Sequence, residues 1–422
     1  MMDLRKHLLG RIEQDRDMLV RFLSEFVAVP SPNPPGDTRA VAGFVRDHLA
    51  RHGHEAEIVA PQPSMPNILC SLDTGRPGPH LVLNGHLDVF PAGEETLWSR
   101  PPWSGDVEDG RIWGRGVADM KCGTAASIQT FIYLAEILPS LCGRLTLTAV
   151  SDEETGGAWG TRWLLENMKD RLDADCVLNG EPSNPAAIRF AEKGTLRLTF
   201  EIATPGAHGA YTHLSRNAVR EAARLIAALD ALEAIEPAIP QEIAVHLARP
   251  EVRARMDEVM GEGAAEVATR VTVSIGTIHG GLKVNMLPGN CRFEADIRLP
   301  PGVERGQVLG AIETILEDFP EARMSVQEAA SNPSSMSDPS HPMVEILRES
   351  ALVVRGREPV PIPSLGATDC KFFRYHGIPS FIYGPPPTNM SRPDENVSIA
   401  DWLDVLRVHA LAAAGYLAAP SA

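Results

Sequence analysis

Short uninterrupted apolar runs alternate with longer stretches of helical spacing between about residues 56 and 190. Three of these runs end in acids or histidine: Leu81-Val82-Leu83-Asn84-Gly85-His86-Leu87-Asp88, Leu145-Thr146-Leu147-Thr148-Ala149-Val150-Ser151-Asp152-Glu153-Glu154, and Cys176-Val177-Leu178-Asn179-Gly180-Glu181. Runs this short, framed by turn residues, fit strands buried on both faces. Strand-like and helix-like patterns in alternation predict an α/β fold, a mixed, mainly parallel sheet covered by helices. A helix is expected from about Gly123 to Leu138, stopping at Pro139. Residues 1–55 read as helical, with an amphipathic helix over Met1–Val20. They are interrupted by Val29-Pro30-Ser31-Pro32-Asn33-Pro34-Pro35-Gly36, where proline density excludes regular structure.

Near residue 195 the pattern changes. Thr195–Ala203 alternates like an antiparallel strand, and a helix is expected over Ala218–Leu232, then helical material at 251–268. Strands over Val271–Ile278 and Cys291–Leu299 and a helix reaching about Phe319 follow. This order predicts a small α+β domain with helices on one side of an antiparallel sheet. The Ser/Pro-rich segment 331–342 reads as a linker, after which α/β patterning returns, with a strand Ser380-Phe381-Ile382-Tyr383 and a C-terminal helix. The expected organisation is one domain in two parts, 1–194 and 331–422, with a second domain inserted at 195–330.

At 422 residues the chain exceeds one ordinary core, which agrees with two domains. Charged residues at 22% and hydrophobic residues at 44% describe a globular protein, and no apolar run is long enough to span a bilayer. No signal-peptide core is present at the N-terminus. The net charge of −16 argues against nucleic acid and acidic membrane surfaces as partners. Six scattered cysteines without a CxxC pair point to the cytoplasm and against disulfides.

Ligands of open α/β sheets bind beyond the carboxyl ends of the strands. The three runs therefore direct His86, Asp88, Glu153, Glu154 and Glu181 toward one place, and Asp119, in Gly114-Arg115-Gly116-Val117-Ala118-Asp119-Met120-Lys121, lies just before the helix there. Each signal has an ordinary reading: a polar strand end for His86-Leu87-Asp88, an N-cap for Asp119, a solvated acidic turn for Glu153-Glu154. Together, so many carboxylates call for a cation, and a divalent metal is the simplest one. In His86-x-Asp88 the carboxylate could orient a metal-binding ring. Adjacent Glu153 and Glu154 suit a divided task, one binding metal and one moving a proton.

These motifs, with Gly180-Glu181-Pro182 and later ones, resemble the dinuclear metallohydrolases that include acetylornithine deacetylase, succinyl-diaminopimelate desuccinylase, aminoacylase and glutamate carboxypeptidase. The resemblance implies that His86 binds one metal and Asp88 orients it. It implies that Asp119 bridges two metals, Glu181 completes the first site, Glu154 binds the second, and Glu153 is the general base. It also implies that His208, in Thr204-Pro205-Gly206-Ala207-His208-Gly209-Ala210, reaches the second subunit's site and stabilises the oxyanion, and hence a homodimer through the inserted domain. Asn285 and Arg298 match substrate-binding positions, Arg298 as a bidentate carboxylate anchor. Gly366-Ala367-Thr368-Asp369 resembles a loop beside the substrate, with no defined role.

One position departs. The family's second metal has a histidine four residues before a glutamate near the C-terminus, and in Ser391-Arg392-Pro393-Asp394-Glu395 that place holds Ser391. A hydroxyl is a poorer ligand than imidazole, so one or two divalent ions (Zn, Co or Mn) are expected, with Mn²⁺ or a single held ion favoured. Three arrangements stay open: a mononuclear site, a second ion weakly held by Asp119, Glu154 and water, or Arg392 supplying positive charge instead. The expected activity is metal-dependent hydrolysis of the amide bond of a small N-acyl amino acid or peptide-like substrate. The alternatives are hydrolysis of another C–N bond, in an aromatic amine or carbamoyl group, and a silent small-molecule-binding homologue.

Overall fold

The computed structural model describes residues 2–418. Among them, nine strands form one sheet. Its order is Glu57–Val59, Asn67–Asp73, Arg144–Val150, His80–His86, Cys176–Asn179, Ser380–Ile382, Ala187–Glu192 and Ser335–Met336, with Val360–Ser364 also paired to Ala187–Glu192. The three motif strands are parallel neighbours. His86 lies opposite Val150, and Asn84 lies opposite both Thr148 and Asn179. Parallel strands in this register end at one edge, and that edge carries all three acidic or histidine termini. Outer strands run antiparallel, so the sheet is mixed.

Helices cover both faces of the central strands, which is why these strands read as continuous apolar runs rather than alternating ones. On one face Val82, Val150 and Val177 pack with Leu164, Leu165, Leu172 and Phe373. Helix Cys122–Glu136, buried over most of its circumference, lies on the motif strands, and helix Ile399–Tyr416 packs against it. The helix ends ahead of Pro139, whose ring disfavours helical geometry in the residue before it. A short 3-10 turn, Leu138–Ser140, contains the proline.

Two glycines set how closely that helix approaches the sheet edge. A Cβ on Gly123 would lie 2.1 Å from the Gly180 carbonyl oxygen, and one on Gly180 would lie 2.5 Å from the Gly123 Cα. A side chain at either position would force the helix start away from the strand end that leads to Glu181.

Two compact units emerge. One comprises residues up to Phe190, Ser337–Ile362 and residues from Thr368 onward; the other comprises Ala191–Met336 and Pro363–Ala367. The second unit holds a four-stranded antiparallel sheet in the order Thr272–Gly280, Asn290–Leu299, Gly194–Ala203, Ala322–Val326. Its inward face, including Leu196, Leu198, Phe200, Phe293 and Ile297, packs with Leu225 and Ile312 of helices Ala218–Leu229 and Arg305–Leu316. The inserted unit extends past the expected bounds of 195 and 330. Segment 331–342 is not only a linker: Asn332 bridges to Thr195, and Ser335–Met336 forms a strand with Ala191 and Glu192. Ser/Pro composition signals a turn but not whether the backbone on either side is paired.

All six cysteines are buried free thiols. Among the described residues no helix is long and apolar enough to cross a membrane.

Candidate metal centre

His86, Asp119 and Glu181 converge at the shared strand edge. His86 Nε2 lies 3.3 Å from Asp119 Oδ1 and 3.3 Å from Glu181 Oε1, and the candidate ligand atoms of all three lie within 4.8 Å of one another. A layer of amides ties the strand ends together. Asn179 Nδ2 donates to Asn84 Oδ1 at 2.9 Å, Asn84 Nδ2 donates to Thr148 Oγ1 at 3.1 Å, and Asn179 Oδ1 accepts the Glu181 N–H at 2.7 Å. Thr124 Oγ1 donates to the His86 carbonyl at 2.7 Å, anchoring the helix start to the same edge.

The His86 ring is held by the backbone of Asp88. Nδ1 lies 2.7 Å from the Asp88 carbonyl oxygen, whereas the Asp88 carboxylate is 3.7 Å away. A proton on Nδ1 donates to that carbonyl and leaves Nε2 free to bind a cation. The Asp88 carboxylate is engaged elsewhere. Oδ1 accepts the Glu153 N–H at 3.2 Å, and Oδ2 accepts the Glu154 N–H at 3.1 Å and the Asn33 amide at 2.8 Å. Asp88 thus suspends the Glu153-Glu154 turn next to the imidazole.

The sequence does not reveal the partners of Glu395 or the presence of Lys371 at this edge. Glu395 is buried against Arg115, with Nη1 to Oε2 at 2.6 Å, and its Oε1 accepts the N–H of Ala118 at 2.9 Å and of Asp119 at 3.2 Å. The Arg115 guanidinium also lies over the Trp98 ring, 5.0 Å from its centroid. Glu395 therefore fixes the backbone that presents Asp119. Lys371 Nζ lies 3.8 Å from Glu153 Oε1 and donates to the Thr368 carbonyl at 3.0 Å. Ser391 and Arg392 are exposed.

The electrostatics show a cluster short of positive charge. Burial, reinforced by Asp119, pushes the Glu154 carboxyl up to about 11 and that of Glu181 up to about 7. Burial likewise raises Glu153 well above the ordinary carboxyl range, although Lys371 pulls it down. For His86, burial opposes protonation, but the charges of Glu181 and Asp119 outweigh it and hold its pKa well above normal. Glu154 Oε1 is buried with no hydrogen-bond partner. A buried carboxylate oxygen without a donor costs free energy unless a cation or proton faces it. The donor set, one imidazole with several carboxylates, fits a divalent ion.

A carboxyl raised in the folded state contributes stability below its unfolded pKa and loses it as pH climbs through its folded value. For Glu181 that window runs from 4.5 to about 7. A divalent cation needs these groups ionised, so it stabilises the fold most above the window. Adding Mn²⁺ to metal-stripped protein is expected to raise Tm more at about pH 8 than at about pH 5. Calorimetry checks this, and equal gains at both would contradict it.

In the inserted unit, His208 and Asn285 are neighbours. Ala207–His208 pairs with Met286–Leu287, and the Gly209 N–H donates to the Asn285 carbonyl at 2.8 Å. The Ala210 N–H donates to His208 Nδ1 at 3.2 Å, so a neutral ring carries its proton on Nε2. Arg298 donates to Thr195 Oγ1 at 3.1 Å and to Asp296 Oδ2 at 2.9 Å, and is half-buried rather than an open fork.

Residues 82–414 match the peptidase family M20/M25/M40, and the chain belongs to that family. It is 31% identical over 342 residues to a succinyl-diaminopimelate desuccinylase of Rhodospirillum centenum, covering 79% of this chain and 81% of that protein. Its fold resembles an M20 family metallo-carboxypeptidase of Sulfolobus solfataricus, with TM-score 0.79 and 20% identity over 94% of this chain and 99% of that one. It also resembles human carnosine dipeptidase 1, with TM-score 0.72 and 20% identity over 97% of this chain and 98% of that one. The protein is a hydrolase of amide bonds.

Proposed function

We propose that this chain hydrolyses the amide bond of a small N-acyl amino acid or peptide-like substrate, at a centre with one firmly held divalent ion. The observation that carries this is the convergence of His86, Asp119 and Glu181 beside a Glu153-Glu154 turn suspended from Asp88. His86, Asp119 and Glu181 would hold the ion, and Glu154 would face a second, weaker position. Exposed Ser391 adds no imidazole there, which favours Mn²⁺ or Co²⁺ over zinc. A bound divalent ion supplies Lewis acidity, polarising a carbonyl and making water more acidic.

Glu153 takes the proton of the attacking water as the new C–O bond forms. It returns that proton to the leaving nitrogen as the C–N bond breaks. Burial raises the Glu153 carboxyl above its usual range, which makes its ionised form a stronger proton acceptor. His208 of the second subunit donates from Nε2 to the oxyanion. Asn285 binds the substrate, and Arg298 anchors its carboxylate by exchanging Asp296 for it.

The homodimer this requires is supported by the inserted unit. Thr272–Gly280 is a sheet edge, and Ile278, Leu282, Val284 and Met286 are exposed around it. Unpaired edges and exposed apolar side chains favour association. The free thiols support the cytoplasm as its compartment.

The test is a panel of N-succinyl and N-acetyl amino acids and dipeptides, assayed with Mn²⁺, Co²⁺ or Zn²⁺ and after chelation. Turnover of at least one amide, abolished by chelator and restored by metal, is expected. Turnover that persists in metal-stripped protein would overturn the reading.

A further inference from the structure

The proline-dense loop beginning at Val29 holds a buried asparagine at the sheet edge. Residues 31–33 run beside the extension of strand His80–His86. Ser31 Oγ donates to the Leu87 carbonyl at 2.7 Å, the Val89 N–H donates to the Ser31 carbonyl at 3.0 Å, and the Asn33 N–H donates to the Val89 carbonyl at 2.9 Å. Pro32 and Val89 form a parallel bridge. Six residues further on, Thr38 Oγ1 lies 2.6 Å from Ser151 Oγ, on the neighbouring strand end. The loop therefore clamps the two strand ends that carry His86-x-Asp88 and Asp152-Glu153-Glu154.

Asn33 is 3% exposed and sits where the two meet. Its Nδ2 donates to Asp88 Oδ2 at 2.8 Å and to Thr155 Oγ1 at 2.9 Å, with Asp152 Oδ1 at 3.5 Å. Ionised carboxylates only accept hydrogen bonds, so the amide nitrogen, not its oxygen, must face them. Asp88 Oδ2 thus receives two donors, the Asn33 amide and the Glu154 N–H. On the other side, Asp152 Oδ2 accepts the Trp159 N–H at 3.0 Å, closing the turn. An amide is the fitting group here: it is neutral and supplies two protons to acceptors that would otherwise repel each other.

We propose that Asn33 is a positioning residue for the proton-carrying turn. Its amide locks the Asp88 carboxylate and Thr155, and so sets where Glu153 and Glu154 stand relative to His86. This rests on the reading of Glu153 as the proton carrier. Asn33 touches neither substrate nor water in the reaction and acts through Asp88. It controls the rate of the chemical step and leaves substrate affinity alone.

Two independent measurements test it. Amide hydrogen exchange in the full-length protein reads the turn without any substrate. In Asn33→Ala and in Asn33→Asp, exchange over residues 151–157 is expected to speed up at least about tenfold, with strand His80–His86 unchanged. Asn33→Asp keeps the side-chain shape and serves if Asn33→Ala folds poorly. Kinetics read the consequence: kcat falls about 10- to 100-fold in both variants with KM within about threefold, since misplaced catalytic groups cost rate. In an Asp88→Ala background, Asn33→Ala costs less than about twofold more, because both changes break one link. Unchanged exchange over 151–157 in both variants would overturn the proposal, as would losses that simply multiply in the double variant. If the parent protein turned over no amide, the exchange result would still decide the role of Asn33, and the failure would fall on the amide-hydrolase reading alone.

Discussion

Glu153→Gln is expected to lower kcat by about 10²- to 10⁴-fold, the range typical of removing a general base. KM and metal content should stay close to those of the parent protein. Glutamine keeps the shape of the side chain and its backbone N–H, which donates to Asp88, but it cannot carry a proton. The candidate ligand atoms of His86, Asp119 and Glu181 are left in place. Steady-state kinetics with elemental analysis of the same preparation checks both halves. A variant retaining more than about a tenth of the parent kcat would show that another group moves the proton. Lys371 Nζ lies 3.8 Å from Glu153 Oε1, a position that makes it a modulator of the carboxylate rather than a substitute for it.

Arg115→Met is expected to destabilise the protein by about 3–5 kcal/mol, because it strands the Glu395 carboxylate in the interior. Arg115 and Glu395 are both almost fully buried, and burial already raises the Glu395 carboxyl against the opposing pull of Arg115. Loss of the guanidinium leaves protonation as the remaining way to neutralise that carboxyl. Glu395→Ala should do similar damage by a different route. It frees a buried guanidinium and also the N–H groups of Ala118 and Asp119, so metal affinity should fall together with stability. Urea unfolding measures the first effect and calorimetric titration with Mn²⁺ the second. A loss below about 1 kcal/mol for Arg115→Met would place the pair among exposed ion pairs, contrary to its burial.

The strands and their acidic ends were legible because they are buried on both faces and so read as unbroken apolar runs. Their parallel order followed from the intervening helical patterns. Two tripeptides carry a shared signal. Asn84-Gly85-His86 and Asn179-Gly180-Glu181 share one pattern, and Asn84 lies opposite Asn179 across the ladder. The repeated asparagine is the amide layer that joins the strand ends. The role of Asp88 was legible only in part. The spacing in His86-Leu87-Asp88 suggests that the carboxylate orients the ring, whereas the carbonyl does so and the carboxylate holds the next loop. A local motif cannot tell a residue's backbone from its side chain. The role of Asn33 and the pairing of Arg115 with Glu395 were hidden for another reason. Asn33 lies 55 residues from Asp88, and Arg115 lies 280 residues from Glu395. Neither pair leaves a periodic or clustered signature.

The inserted unit was read well where its strands alternate, as in Leu196, Leu198, Phe200 and Ile202 against exposed Arg197 and Glu201. Helix Gln241–Ala248 and strand Ala322–Val326 leave little trace in the sequence pattern. The first is short, and the second has only partly buried side chains alternating with exposed ones. Weakly amphipathic segments of this length carry little periodic signal.

The proposed metal centre of His86, Asp119 and Glu181, with a weaker second position at Glu154, is tested most directly by metal content. Protein purified without added metal, then equilibrated with Mn²⁺ and dialysed, should retain one ion per chain by mass spectrometry of the elements. His86→Ala should retain none. Two firmly held ions per chain, or one ion retained undiminished by His86→Ala, would contradict this assignment.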